Sequence, residues 1–357
     1  MVPIFPTRPG PSSPRGVRPT QPIRSSTFAL TDRGKTRDHN EDTFLVADLA
    51  TTSPGRESQL EEHQVGERGV LYLVADGMGG AAAGELASEM AATEIHRYMV
   101  ETWRPDPEVS EARFARHLRD AVELANVRLH EYAGEHPEVR GMGTTATVAG
   151  VWQDRLYLAQ IGDSRGYLVR DGEARQLTRD QSLTQRLVEV GELTEEEAEA
   201  SERRNIILQA LGPDARVKVD VSWQPLQRGD VLIICSDGLS TVVRRDEIAA
   251  AVAELPDLRQ LTDHLVQTAN TRGGPDNITV VAVRFDGEGL PLRASEAPGY
   301  HEFLITDERP ALLPTAAFPA AMMPAPHIPP LRSGSPTGMA LVAIAVVMLI
   351  LALILML

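Results

Sequence analysis

Apolar residues along this chain fall into short continuous runs, and four of these runs lie next to an aspartate. LYLVA leads into Asp76, LYLAQI ends two residues before Asp163, and VLIIC ends two residues before Asp237. The run ITVVAV follows Asp276 instead, with one residue between. Continuous apolar runs of this length are typical of strands buried on both faces. The pattern therefore predicts four buried strands, each with a carboxylate near one end.

The remaining segments carry strand, helix and turn signals, and elements of the same type follow one another along the chain. FALTDRG and DTFLVAD are strand candidates near the start, and the polar stretch around residues 50–68 is expected to be a surface loop. Further predicted elements are helices within residues 83–100, 110–133, 182–204 and 246–270, an antiparallel meander over 144–178, and a last strand over 278–285. Hairpins and helix pairs in blocks, without regular alternation of strand and helix, predict an α+β fold.

Both ends of the chain differ from the folded part, which is predicted over residues 25–286. Residues 1–24 contain seven prolines and four arginines without an acid, which indicates a disordered arm. Residues 287–338 are rich in proline and indicate a flexible linker. Residues 339–357 carry no charge, and as a helix they span close to the ~30 Å of a bilayer core. One C-terminal transmembrane helix is expected. Arg332 on its N-terminal side favours a cytoplasmic folded domain at the cell membrane.

Composition and charge narrow the class of protein. Hydrophobic residues make up 42% and charged residues 24% of the chain, which is ordinary for a globular protein. The formal net charge of -15 argues against nucleic acid as a main partner, because proteins that bind it usually carry a basic surface. The single cysteine, Cys235, excludes an intramolecular disulfide and fits a reducing compartment. Its apolar neighbours indicate a small buried residue.

The four strand-end aspartates predict a metal site. Crowded carboxylates are stable only when they are protonated or neutralised by a cation. Zinc is poorly supported, because the sequence has no HExxH motif and no cysteine pair. Aspartate oxygens next to glycines, as in the sequence DGMGG from Asp76, suit Mg²⁺ or Mn²⁺. A single Asp-Gly pair is more often only a turn, so the hypothesis depends on all four acids together.

A charged segment between the first two strands adds candidate residues. GKTRDHNEDTF supplies Arg37, Glu41 and Asp42. The simplest interpretation is a solvated hairpin, but Arg37 could also anchor a phosphate or carboxylate through paired hydrogen bonds. Metal ions beside a guanidinium favour an anionic, oxygen-rich substrate, and hydrolysis of a phosphate ester fits best. The chain has no P-loop motif, and the glycines after Asp76 lack a dinucleotide-binding pattern.

The ordered motifs RxxNED, DGMGG, GMGTT, GDSR, SDGL and DNITV resemble those of the metal-dependent Ser/Thr protein phosphatases of the 2C type, in their bacterial form. The resemblance covers roughly residues 25–286. It implies a four-layer sandwich in which helix pairs flank two antiparallel β-sheets, with a two-metal centre at one end. It also implies that residues 180–212 form a mobile flap beside the active site.

The resemblance assigns roles to residues motif by motif. The implied ligands of two Mn²⁺ or Mg²⁺ ions are Asp76 as the bridge, the Gly77 carbonyl, Asp237 and Asp276, with Asp163 joining Asp237 at a possible third ion. Glu41 and Asp42 would hold metal-bound waters, and Arg37 would bind the substrate phosphate. A hydroxide between the two ions would attack the phosphorus of phosphoserine or phosphothreonine without a protein nucleophile. Ser164 and Ser236, which neighbour the acids, are expected only to make hydrogen bonds.

Two positions depart from the family pattern. Ala81 stands where many members have a histidine that could protonate the leaving group, and Gln181 stands where the flap often has histidine. An active phosphatase is the favoured interpretation, acting as a monomer on phosphorylated proteins such as Ser/Thr kinases or their substrates. The alternative is a membrane-tethered scaffold of the same fold that binds phosphopeptides with weak or no catalysis.

Overall fold

The computed structural model describes residues 22–51, 54–55, 59, 61–199, 201, 203–204 and 206–305. The predicted N-terminal arm up to residue 21, the linker beyond residue 305 and the predicted transmembrane helix lie outside these residues. No helix in the described ranges is long and apolar enough to cross a membrane.

Twelve strands form two antiparallel sheets in the described chain. The strands are β1 (Arg24–Asp32), β2 (Asp42–Asp48), β3 (Glu61–Gln64), β4 (Val70–Met78), β5 (Gly143–Thr144), β6 (Ala146–Trp152), β7 (Arg155–Ile161), β8 (Arg165–Arg170), β9 (Glu173–Gln176), β10 (Asp220–Pro225), β11 (Val231–Cys235) and β12 (Ile278–Asp286). The first sheet has the order β3-β1-β12-β11-β8-β9, and the second has the order β10-β7-β6-β4-β2, with β5 paired to β4. Every pairing between these strands is antiparallel.

Helices cover the outer face of each sheet. The α-helices of the described chain are α1 (Ala81–Tyr98), α2 (Glu111–Glu135), α3 (Leu183–Glu189), α4 (Glu195–Glu199), α5 (Asp237–Ser240), α6 (Arg245–Glu254) and α7 (Leu258–Thr271). The side chains of α1 and α2 share one hydrophobic core with the second sheet, and those of α6 and α7 share another with the first. The two sheets pack against each other through a third core, so the predicted α+β fold with two antiparallel sheets and helices is confirmed.

Local sequence explains where the longest helix lies. The α2 helix begins after Ser110, whose hydroxyl accepts a hydrogen bond from the Arg113 backbone amide and caps the first turn. Phe114, Leu118 and Val122 are fully buried and follow one another at helical spacing. A Cβ added to Gly150 would lie 2.7 Å from the Phe114 ring, so the glycine in β6 makes room for this helix.

Strand β3 and helix α5 are among the elements that were not predicted. The β3 strand falls in the stretch that was expected to be loop, and α5 follows β11 where no helix was predicted. Strand β3 lies at the edge of its sheet and pairs only with β1. Its four residues are polar because an edge strand buries little side-chain surface, so its sequence has no apolar pattern to detect.

Residues 287–305, which the sequence placed in the linker, pack against the folded domain; we call them the C-terminal strap. Leu290 is buried in the core between the sheets, and Phe303 packs edge-on against the Tyr157 ring. The Phe303 amide donates to the Val221 carbonyl of β10. These contacts come from isolated apolar residues between prolines and polar residues, which give no periodicity. The folded domain therefore continues to residue 305 in the described chain.

Candidate metal centre

Asp42 and Asp76 lie directly opposite each other in the pairing of β2 with β4. Paired residues of neighbouring strands point to the same face of a sheet, so these two carboxylates are neighbours. Asp42 is buried, and the Ser236 hydroxyl donates to its Oδ2 over 2.7 Å. Its Oδ1 has no hydrogen-bond partner among the described residues. Burial raises the pKa of Asp42 to about 7, against the lowering effect of the hydroxyls of Thr279 and Ser236.

The backbone of Asp76 is held at the end of β4 by two threonines. Its amide donates to the Thr145 hydroxyl over 3.0 Å, and its carbonyl accepts from the Thr145 amide and the Thr144 hydroxyl, both at 2.9 Å. Burial, followed by repulsion from Asp42 and Asp237, raises the pKa of the Asp76 carboxyl well above its ordinary range. The end of β4 thus holds the Asp76 carboxylate close to other carboxylates, and their mutual repulsion opposes the ionisation of all of them at once.

Asp237 and Asp163 bring two further carboxylates to the same place. Asp237 opens α5 immediately after β11, and burial with repulsion from Asp276 raises its pKa to about 6. Asp163 lies in the turn between β7 and β8 and is only 7% exposed. Burial, then repulsion from Asp237, raises the pKa of Asp163 to about 7. One carboxylate oxygen of each is buried and finds no hydrogen-bond partner within the described chain.

Arg37 lies in the exposed loop before β2 and contacts this cluster. Its guanidinium donates to Oδ2 of Asp276 over 2.7 Å, while 53% of its side chain remains exposed. Oδ1 of Asp276 accepts from the Asn277 amide over 2.9 Å. Glu41, farther along the same loop, has a pKa raised by burial, partly offset by Arg37. The structure therefore brings the predicted arginine, Glu41 and the predicted aspartates together.

The glycines after Asp76 are explained by close packing. A Cβ added to Gly77 would approach the Gly84 carbonyl to 2.2 Å and the Glu41 carbonyl to 2.6 Å. A Cβ on Gly84 would lie 1.8 Å from the Glu41 carboxylate. Gly79 adopts φ 119°, in the left-handed region that favours glycine. Glycine at these positions lets the loop before β2 lie against the start of α1.

The donor set fits a hard divalent cation. No group of three or more His, Cys, Asp or Glu side chains in the described chain is arranged to enclose a metal ion. Mg²⁺ needs only one or two carboxylates, because it keeps several water ligands. Asp42, Asp163 and Asp237 each have a buried carboxylate oxygen without a described hydrogen-bond partner, which a cation or its water would satisfy. Asp276 is the exception, since Arg37 occupies one of its oxygens.

Comparison with known proteins identifies the family. Residues 59–280 match the family model described as "Protein phosphatase 2C". The chain belongs to the protein phosphatase 2C family.

Several relatives of this 2C-type phosphatase cover nearly all of its folded domain. A serine/threonine phosphatase stp from Listeria monocytogenes is 37% identical, over 72% of this chain and 94% of the relative. Protein phosphatase PhpP of Streptococcus pneumoniae is 38% identical, over 72% and 97%. The structure of the Mycobacterium tuberculosis phosphatase PstP/Ppp has a TM-score of 0.61 at 34% identity, over 74% and 99%. The catalytic domain of PstP has been solved with two manganese ions and has a TM-score of 0.60 at 33% identity, over 74% of this chain and 99% of that chain.

Asn277 was not among the predicted site residues, although it organises this 2C-type site. Its Oδ1 accepts from the Glu41 amide over 2.9 Å. Its Nδ2 donates to the carbonyls of Arg33 and His39 over 2.9 and 2.8 Å. One side chain therefore ties the loop that carries Arg37 to the start of β12. The available signal was its position beside the aspartate in the DNITV motif.

The hydroxyls of Ser164 and Ser236 are committed to structural hydrogen bonds. Both residues are fully buried. Ser236 donates to Asp42 and accepts from the Thr279 amide over 2.9 Å, and Ser164 shares a 2.9 Å hydrogen bond with Thr145. Neither is placed to attack a substrate. Cys235 is also fully buried, as expected, and burial raises its pKa to about 12.

The structure also shows where the two positions that depart from the family pattern, Ala81 and Gln181, lie. Ala81 is the first residue of α1. The side-chain carbonyl of Gln181 accepts from the Gly162 amide over 3.0 Å, and the Gln181 backbone amide donates to the Gly162 carbonyl over 2.8 Å. Asp180 accepts two hydrogen bonds from Arg165, over 2.8 and 2.6 Å. The start of the predicted flap is thus joined to the turn that carries Asp163.

Proposed function

We propose that this chain is a metal-dependent phosphoprotein phosphatase that hydrolyses phosphoserine and phosphothreonine with Mn²⁺ or Mg²⁺. The observation that carries the proposal is the group of strand-end aspartates, whose pKa values are raised mainly by burial and which have oxygens without described partners. Relatives named serine/threonine phosphatase, and a family structure with two manganese ions, support the same activity.

Each predicted ligand has a place in this scheme. The proposed ligands of two cations are Asp76, the Gly77 carbonyl, Asp237 and Asp276, and Asp163 with Asp237 is the proposed site of a third. When bound, the cations acidify a water molecule and neutralise charge on the phosphate group. Glu41 and Asp42 would accept hydrogen bonds from water molecules at the site rather than bind the cations directly.

Arg37 would move from a carboxylate to the substrate. In the structure its guanidinium is paired with Asp276 but is half exposed. If Asp276 served as a metal ligand, Arg37 would no longer be its partner, and the guanidinium could donate two hydrogen bonds to phosphate oxygens. The pair with Asp276 would hold the arginine close to the site until the cation and the substrate bind.

The two serine hydroxyls of the site are not placed to act as nucleophiles, which favours direct attack by water. Ser164 and Ser236 are buried and hydrogen-bonded, so a covalent phosphoserine intermediate on either has no geometric support. The leaving alkoxide needs a proton, and Ala81 has none to give. We propose that water supplies this proton, which makes the rate depend on the pKa of the leaving group.

We further propose that residues 339–357 anchor the chain in the cell membrane as a single span, with a monomeric catalytic domain in the cytoplasm. The support is their uncharged sequence and the position of Arg332 before them. A tethered phosphatase would reach membrane-bound kinases or their substrates at a raised effective concentration.

One assay tests the proposed activity. The full-length chain is incubated with a phosphothreonine peptide in metal-free buffer, and Mn²⁺ or Mg²⁺ is then added. We expect phosphate release only after the addition. Release that is undiminished in excess EDTA would disprove the metal requirement. Peptide binding without any release under all metal conditions would favour the scaffold alternative.

A further inference from the structure

A groove of about 830 Å³ opens beside the carboxylate cluster. Strands β8 and β9, helices α3 and α6, and part of the C-terminal strap contribute residues to its lining. Asp163 and Asp237 line the groove and also belong to the carboxylate cluster. The groove therefore reaches the side of the carboxylate cluster that Asp163 and Asp237 form.

Arginine dominates the exposed lining of this groove. Its exposed arginines, which we call the arginine rim, are Arg175, Arg179, Arg204, Arg244 and Arg245. The exposed acids in the same lining are Asp171 and Glu173. The chain as a whole carries a formal net charge of -15. On a protein with this negative net charge, a cluster of arginines produces a local positive potential that the average surface composition does not predict.

Two other arginines of the lining are already neutralised. Arg165 pairs with Asp180 over 2.6 Å, and Arg170 pairs with Asp230 over 2.6 Å with both side chains at most 5% exposed. Buried pairs of this kind are costly to break, because each partner would be left as an isolated buried charge. These two arginines are thus fixed in the floor of the groove, and an entering ligand would meet the exposed arginines of the rim.

An anionic ligand could displace the acids that pair with two of the rim arginines. Arg175 pairs with Glu173 over 2.7 Å, and more than half of each side chain is exposed. Arg244 lies 3.4 Å from Asp246, and both are more than 70% exposed. Exposed ion pairs of this kind are weak, so a better-placed anion can replace the acid. The guanidinium of Arg179 lies 3.8 Å from the centre of the Tyr300 ring, and its charge also acts on the nearby Asp220 carboxylate, whose pKa burial raises and this arginine lowers.

We propose that the arginine rim binds anionic side chains that flank the phosphorylated residue of the protein substrate. The inference rests on the proposed phosphatase function, because it places the phosphorylated residue at the carboxylate cluster. Arginine suits this task, since its planar fork of N–H groups matches both carboxylates and phosphates. The flanking anions are aspartate, glutamate or a second phosphorylated residue.

The test compares phosphothreonine peptides that differ only in their flanks. One series carries glutamates, a second carries glutamines and a third carries lysines at the same positions on either side of the phosphothreonine. For the full-length chain with Mn²⁺, we expect the highest kcat/KM with the glutamate series and the lowest with the lysine series. In R244Q/R245Q the glutamate-over-glutamine ratio should fall about tenfold, the scale of one or two charge-assisted contacts.

A matched control variant tests whether the preference depends on the arginines of the groove or on the total positive charge of the protein. R228Q/R293Q removes two exposed arginines that do not line the groove, and we expect the wild-type ratio. High salt should reduce the ratio in the wild-type chain by screening. A peptide with a second, slowly hydrolysed phosphate analogue in place of the glutamates distinguishes a preference for phosphate from one for carboxylate.

The outcomes are distinct from those of the proposed function. If the wild-type chain hydrolyses p-nitrophenyl phosphate but treats all three peptide series alike, the rim proposal is wrong and the phosphatase function stands. If R244Q/R245Q keeps the full preference, the rim proposal is also wrong. No hydrolysis of any substrate with Mn²⁺ contradicts the phosphatase function itself. If R244Q/R245Q melts below the wild type, R175Q replaces it, and a retained preference in that variant again contradicts the proposal.

Discussion

The guanidinium of Arg37 donates a 2.7 Å hydrogen bond to the carboxylate of Asp276, so the residue expected to bind phosphate is paired with one expected to bind metal. The two partners belong to different parts of the chain, the loop before β2 and the start of β12. Asn277 joins the same two segments by three hydrogen bonds. The proposed metal ligand Asp276, the proposed phosphate-binding Arg37 and the position of the loop before β2 are therefore connected through adjacent residues.

Replacing Arg37 should weaken phosphate recognition. We expect R37A to lower kcat/KM for a phosphothreonine peptide by about 10- to 100-fold, since a hydrogen bond to a charged group is worth roughly 1.5–3 kcal/mol. R33A is the matched control, because that side chain is exposed and its hydrogen bond to the Asp38 carbonyl is long, at 3.4 Å. Steady-state kinetics at saturating Mn²⁺ measure the effect. Equal losses in the two variants would contradict a specific role for Arg37.

Replacing Asp76 should remove most catalysis. We expect D76N to lower kcat by at least about 10²–10³, comparable to the loss of one main electrostatic element of an active site. The measurement is phosphate release across a Mn²⁺ titration, which shows whether extra metal restores the rate. D154N, at the hairpin turn between β6 and β7, is the control and should keep wild-type activity. Wild-type turnover by D76N would mean that Asp76 is not a bridging ligand.

The metal-free protein should become less stable as pH rises. Burial raises the pKa of Asp42 and Asp163 to about 7 and that of Asp237 to about 6, whereas an unfolded aspartate has a pKa near 4. Between about pH 4 and 7 the folded state therefore binds more protons than the unfolded state, and the free energy of unfolding falls with rising pH. Above that window the carboxylates are charged, and a cation gains most by neutralising them.

Thermal melting checks this dependence. In EDTA the Tm should fall from pH 5 to pH 8, and the increase in Tm on adding Mn²⁺ should be larger at pH 8. D42N provides the control, because an amide at this position does not titrate and should make the metal-free curve flatter. A metal-free Tm that rises over this range would show that the carboxylate cluster does not dominate the pH response.

Asn277 should act by positioning the loop before β2. N277A leaves three backbone groups without their partner, so we expect a loss of about 1–3 kcal/mol in the free energy of unfolding and weaker Mn²⁺ binding. N277D keeps the acceptor for the Glu41 amide but loses both donated hydrogen bonds, so its Mn²⁺ affinity should be intermediate. Calorimetric titration with Mn²⁺ measures this order. Unchanged affinity in N277A, despite a lower Tm, would limit Asn277 to a role in stability.

The C-terminal segment should control the location of the protein but not its chemistry. Deleting residues 333–357 should move the protein from the membrane fraction to the soluble fraction while kcat/KM for a soluble phosphopeptide stays the same. The reason is that every proposed catalytic residue precedes residue 277 and that the deletion leaves the strap, residues 287–305, in place. Fractionation of both forms, followed by the peptide assay, provides the test. A full-length chain found in the soluble fraction would rule out the anchor.

The sequence predicted the elements whose own residues carry a signal. Apolar runs located the buried strands, and the acid beside each run located Asp76, Asp163, Asp237 and Asp276. These positions are readable because a strand buried on both faces must be continuously apolar, and a charge near its end then stands out.

Features that depend on distant partners could not be read in this way. The role of Asn277 depends on loop carbonyls more than 200 positions away in the chain. The pairing of Arg37 with Asp276 likewise depends on the fold, since an isolated arginine in a polar loop predicts only a solvated side chain. The strap was missed because its few apolar residues are buried by surfaces of other elements rather than by their own periodicity.

The strap also affects how copies of this protein meet. Strand β10 is the last strand of its sheet, and on its outer side the Trp223 amide donates to the His301 carbonyl while the Val221 carbonyl accepts from the Phe303 amide. An uncovered strand at such a position offers free amides and carbonyls to any other extended chain, including the same strand of a second molecule. The strap thus occupies hydrogen-bonding groups at this edge of the sheet, so a second molecule cannot pair with them. If the proposed anchor crowds copies of the chain on a membrane, this occupied edge would oppose their association through strand pairing.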